Sequence, residues 1–252
     1  MANKNLFNTP KVSGPVADTV NDAGGVAYKH TDKHALAQYV LTGCLNSTYY
    51  ASADVQLDRV LELCKNIPTQ FIAQTAVYAR ENGFMKDTPA LLCAVLAVRD
   101  VPRLKVIFNR VIDNGKMLRN FVQIVRSGAV GRKSFGTAIK KLVQRWFDSR
   151  NDAQLFRDSV GNDPSLADVI KMVHPTPKNG TREALYGYIL GKKVVNSKRE
   201  MEVVNGRKNT VLFSDLPELV QAFENYKNSV LGGRDAGEVP NVPFQMLTAL
   251  NL

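Results

Sequence analysis

Few residues in this 252-residue chain could carry covalent or metal chemistry by type and spacing. His30 and His34 stand i, i+4 in HTDKH, which places two imidazoles on one helix face, but no Glu or Cys joins them to complete a metal-binding set. The three cysteines, Cys44, Cys64 and Cys93, show no CxxC spacing and cannot all pair within one chain. They fall within or beside apolar helical patterns, where a thiol serves as a small core group. The chain has no GxxxxGK[ST] phosphate loop, no GxSxG elbow and no HExxH. Nothing brings a nucleophile to a base, so the expectation is a protein that is not an enzyme and uses no metal or cofactor.

The chemistry on offer is cationic. Gly131-Arg132-Lys133 is followed by SFGTAIKKLVQRWFDSR. On a helix from about Ser134 to Phe147, Ile139, Leu142, Val143 and Trp146 form the inward stripe. Lys141 and Arg145 are then left on the far side and Lys140 on the flank. Ammonium and guanidinium groups at that spacing can each engage a phosphate, releasing counterions as they do so. Trp146 and Phe147 read as core rather than as base-stacking groups. Thirteen basic and three acidic residues lie between Val101 and Arg157, a net +10 equal to that of the whole chain. Such a concentration reads either as a well-solvated face or as a field that attracts nucleic acid or an anionic membrane surface. Arg126 and the cations around 103–119 would widen the patch if stacking aligned them. His174, in MVHPTP, ends a helical stripe. It is either a favourable partner for the helix dipole or an imidazole placed to stack on an unpaired base or bond a phosphate.

The elements that must position these groups are helices. Apolar residues recur at i, i+3, i+4, i+7 in six stripes beginning at Leu57, Leu104, Leu118, Ile139, Leu166 and Leu216. Further helices are expected at 33–44, 69–81, 88–99 and 181–190. Thr88-Pro89 reads as an N-cap with proline at N1, while Asn82-Gly83 and Asn114-Gly115 read as following helix ends. Pro89–Val98 is apolar nearly all round and needs neighbours on every side. Residues 1–30, with Pro10, Gly14, Pro15, Gly24 and Gly25, read as an extended arm with turns. Residues 192–214 break the helical pattern around Asn205-Gly206 and read as a loop or small hairpin. Residues 232–243 form another irregular stretch.

The fold class is therefore all-α. Antiparallel helix pairs stacked as an α-solenoid would satisfy the two-sided packing, although no fixed-period repeat separates that from a globular bundle. The longest apolar run has nine residues, half of the roughly 18 that would suggest a membrane span. The N-terminal residues lack an apolar signal core. With its hydrophobic content at 44% and charged content at 22%, the chain reads as a reduced, folded, cytoplasmic protein with no membrane partner.

Four blocks carry a family likeness: HALAQYVLTGCLNSTYY (34–50), AVYARENGFMKDTPALLCAVLAV (76–98), VRSGAVGRKSFGTAIKKLVQRWF (125–147) and SLADVIKMVHPTPKNGTREALYGYILG (165–191). They resemble the TROVE module of the Ro autoantigen family, especially its bacterial branch. The resemblance implies a HEAT-like α-solenoid of antiparallel helix pairs, curved or part of a ring. It also implies binding of small noncoding Y-like RNA on a basic outer surface and of single-stranded 3′ ends of misfolded RNA, in RNA quality control and sometimes with an exoribonuclease partner. By the same alignment the family's RNA-contacting histidine falls on His174, one basic position on Arg157, and a GR pair on Gly131-Arg132. A second basic position falls on Gly161, so no contact is carried over there. The stretch 192–214 is longer than the bacterial branch leads one to expect. The family's final ring helices and its von Willebrand factor A-like domain would follow residue 252, so the helical-repeat unit 31–252 is expected to be C-terminally incomplete.

The candidate nucleic-acid-binding set is thus Arg126, Arg132, Lys133, Lys140, Lys141, Arg145, Arg157 and His174. A competing reading is a HEAT-type protein-interaction scaffold with a basic groove. A third is a ribonuclease or RNA-modifying enzyme with an unfamiliar active site.

Overall fold

The apolar periods become helices. The computed structural model of the chain describes residues 17–29, 31–42, 53–131, 136–159, 164–203 and 209–231. Among them are β1 (Thr19–Val20), β2 (Val26–Ala27), α1 (Asp32–Thr42), α2 (Ala53–Cys64), α3 (Thr69–Glu81), α4 (Asp87–Arg99), α5 (Val101–Val111) and α6 (Gly115–Ser127). These are followed by α7 (Thr137–Ser149), α8 (Asp152–Ser159), α9 (Ser165–Val173), α10 (Gly180–Ile189), β3 (Lys193–Val195), α11 (Lys198–Val203), β4 (Thr210–Leu212) and α12 (Pro217–Leu231). The protein is mostly helical, and no helix among the described residues is long and apolar enough to cross a membrane.

The helices fall into two rows. α1, α3, α5 and α7 pack in succession, α2, α4, α6 and α9 do the same, and α3 and α5 join the rows by packing on α4. Neighbours within a row run parallel. Thr69 Oγ1 donates to Asp100 Oδ2 at the starts of α3 and α5 (2.7 Å), while Arg110 grips Glu81 at their ends. In the other row, Asn120 donates to Asp87, linking α6 to the start of α4. The N-termini of α6 and α9 meet where Gly115 faces Leu166, so closely that an added Cβ would lie 2.9 Å from Leu166 Cγ. α4 packs on α2 and α6 within its own row and on α3 and α5 of the other, and is buried from Thr88 to Ala97, which explains why it is apolar all round. One continuous core runs from Leu36 to Leu219.

The local signals that the structure changes are instructive. Thr88 is not a cap: the helix begins at Asp87, and the buried Thr88 hydroxyl donates to Val40 O (2.8 Å), tying α4 to α1. Asn114 does more than follow a helix end. Its side chain accepts from Met117 N and starts α6. α8 was not expected at all. Residues 17–29 of the arm hold an antiparallel hairpin, with Val20 opposite Val26. The stretch 192–214 is not a hairpin, because β3 and β4 pair parallel, with Val194 opposite Val211. Parallel strands need a crossover, and α11 lies between them. α10 packs so closely over β4 that a Cβ on Gly187 would lie 2.8 Å from Val211 Cγ1.

Candidate functional site

α7 is held from one side. Ile139, Leu142, Val143, Trp146 and Phe147 are buried. The Trp146 indole donates to Ile112 O (2.6 Å), anchoring α7 to the end of α5, and the Arg150 guanidinium lies over its ring at 4.8 Å. Trp146 and Phe147 are core, as the stripe required. On the outer side Lys140, Lys141 and Arg145 are all exposed, and none is in an ion pair among the described residues.

A second segment is fastened to this ridge. The Gln144 side chain, one helical turn from Lys140 and adjacent to Arg145, donates to Thr176 O (2.9 Å) and accepts from Thr176 N (2.7 Å). A single amide thus takes both backbone groups of Thr176, as a neighbouring strand would, and lays the 174–179 loop along α7. Arg182 fixes the far end of that loop. It is fully buried, bonds Phe147 O (2.9 Å) and Arg150 O (2.7 Å) at the end of α7, and pairs with Asp152 on α8. Asn179 caps α10 by accepting from Arg182 N.

His174 enters this loop directly from α9. It is the left-handed C-cap of that helix (φ 52°), its amide donates to Ile170 O (2.9 Å), and its ring is exposed. Only Pro175 separates it from Thr176, a reach of at most about 7 Å. The structure therefore brings the His174 segment to the flank that carries Lys140, Lys141 and Arg145, and Lys178 is exposed in the same loop.

The other cations are dispersed. Arg126 is exposed at the end of α6, in the other row, as is Lys116 at its start, whereas Lys105 is exposed on α5. Arg157 is exposed on α8. Its neighbour Asp158 has its carboxyl pushed up by burial, against the lowering fields of Arg150 and Arg157. No hydrogen bond or ion pair joins Arg157 to His174. Arg132 and Lys133 lie outside the described residues, as do His30 and Cys44. Three arginines of the basic segment are already spent on carboxylates: Arg103 on Asp100, Arg110 on Glu81 and Arg119 on Asp168 (2.8 Å). The hydrogen bond from Arg110 holds the Glu81 carboxyl below its ordinary range. Bonds from Thr69 and from the Arg103 amide do the same for Asp100.

Compared with models of known families, with curated proteins and with solved structures, the chain matches none.

The remaining reactive groups are quiet. Burial pushes the Cys64 thiol up to about 12 and raises Cys93 as well, so neither is a thiolate at neutral pH. His34 closes a reciprocal turn with Thr31, its ring accepting from Thr31 N and its amide donating to Thr31 Oγ1 (both 3.4 Å). No group of three His, Cys, Asp or Glu that could hold a metal ion occurs among the described residues. Sequence reasoning missed Gln144 and Arg182. A glutamine inside a basic run and an arginine at the start of a helix carry no signal of partners 30 or more residues away.

Proposed function

We propose that this is a noncatalytic RNA-binding protein of the TROVE/Ro type, built as a HEAT-like solenoid. The two parallel rows of helices support that architecture, and the four blocks of resemblance support the ligand. The observation that carries the reading is the Gln144 clamp, which sets the His174 loop beside three exposed cations that are in no ion pair among the described residues. RNA phosphates would lie on Lys140, Lys141 and Arg145, while His174 offers a ring to an unpaired base or a donor to a phosphate. Backbone contacts position a strand without reading it, so sequence preference is weak.

The test is the triple variant Lys140→Glu/Lys141→Glu/Arg145→Glu. Loss of three phosphate contacts is expected to lower affinity for structured small RNA about 100-fold at 0.1 M salt and to flatten the log–log salt slope by about 2–3. Filter binding across a salt series checks it. Unchanged affinity and slope would remove α7 from the interface.

A further inference from the structure

A second surface lies two helices away on the same row. Between α3 and α5 runs a groove of about 380 Å³ whose floor is Ala73, Val77 and Ile107. One wall is a column on α3: Gln70, Gln74, Tyr78 and Asn82, at four-residue intervals. All four side chains are exposed, and none makes a hydrogen bond to another described residue. Four residues of helix rise about 6 Å, so the column offers hydrogen-bonding groups at 6 Å steps. An extended peptide repeats its edge-facing N–H and C=O groups every two residues, about 6.6 Å. Amide side chains carry both a donor and an acceptor, the complement of that edge. The Gln144 clamp on Thr176 shows the same pairing already made within this fold.

Charge decides between occupants. The opposite wall contributes Arg103 and Arg110, but each is neutralised where it stands, by Asp100 and Glu81. The groove is therefore electroneutral, in contrast to the α7 ridge, and gives a polyanion little to hold. Its apolar floor and polar wall match an uncharged strand whose alternate side chains are small and apolar. We infer that the α3–α5 groove docks an extended, uncharged peptide segment of a partner protein, with the Gln70–Gln74–Tyr78–Asn82 column reading its backbone. This surface is separate from the RNA reading and stands if that reading fails.

The test is selection of random twelve-residue peptides displayed on phage against the full chain, followed by anisotropy titration of the enriched peptides. Peptides with alternating small apolar residues are expected. Their affinity should fall at least tenfold in Gln74→Ala/Tyr78→Ala, a pair of exposed positions whose loss leaves the melting curve in place. Slowed amide exchange over 70–82 on adding peptide should accompany binding. Three results would overturn the proposal: no enrichment, enriched peptides that bind the double variant equally well, or a labelled single-stranded RNA that loses affinity in the double variant, which would make the groove a nucleic-acid site.

Discussion

Arg80, Arg110 and Arg119, on α3, α5 and α6, and the cations of α7 belong to one basic chain and meet opposite fates. Arg80 reaches Asp113 at 2.5 Å across 33 residues, Arg110 grips Glu81 across 29, and Arg119 pairs with Asp168 on the neighbouring α9. Each spends its charge on holding consecutive helices in register. The α7 ridge differs: Asp148, the acid on its outer face, accepts from Gln144 and is in no ion pair among the described residues. The contrast teaches that a local excess of Lys and Arg divides by partner. Where the stack supplies an acid, the guanidinium becomes a staple; where it supplies none, the charge is available to a ligand.

The comparison breaks most forcefully at Arg182. Replacing it with Ala takes the guanidinium from Asp152 and from Arg150 O, and leaves Phe147 O with the Arg150 amide alone. We expect a loss of about 3–5 kcal/mol of stability, read as the shift in the urea midpoint. A smaller change would mean that the end of α7 is satisfied by other groups. Next, Arg80→Ala should cost about 2 kcal/mol. Replacing Lys140, Lys141 and Arg145 together by Ala should stay within about 0.5 kcal/mol. Equal costs in those two denaturation curves would erase the distinction between staples and ridge.

The smallest effect is expected with acid. Glu81 and Asp100 have carboxyls held below their ordinary values of 4.5 and 3.8 by Arg110, and by Thr69 and the Arg103 amide. A lowered folded-state value contributes stability above the unfolded value and loses it as pH falls through the folded one. The thermal midpoint should therefore decline below about pH 4.5, less so in Glu81→Gln. Asp158 acts in the opposite sense, because burial raises its carboxyl above the ordinary 3.8. Its ionisation opposes folding as pH rises through that range, and Asp158→Asn should raise the neutral-pH midpoint slightly.

Much of the scaffold was legible because the information is local. The Leu104, Leu118, Ile139 and Leu166 stripes each mark a helix face without reference to the rest of the chain, and α7 presents the ridge that its period required. α8 escaped notice because its eight residues bury only Leu155 and Phe156, too few to make a period. Thr88 was misread because its hydroxyl serves a carbonyl 48 residues away. The division of the cations into staples and ridge depends on which helices become neighbours, and no spacing in the chain encodes that. The parallel pairing of β3 with β4 belongs to the same class: Asn205-Gly206 reads as a tight turn, whereas the structure puts α11 between the two strands and packs α10 over Val211.

The backbone at position 174 leads further. Only Phe84 and His174 among the described non-glycine residues hold a positive φ, and His174 does so where helices most often end in glycine. Keeping a side chain in that conformation costs about 1 kcal/mol. A glycine there would delete the imidazole while easing the peptide, whereas an alanine would delete it and keep the torsional burden. The two substitutions together separate what the ring contributes from what the chain reversal contributes, without disturbing the scaffold that carries both.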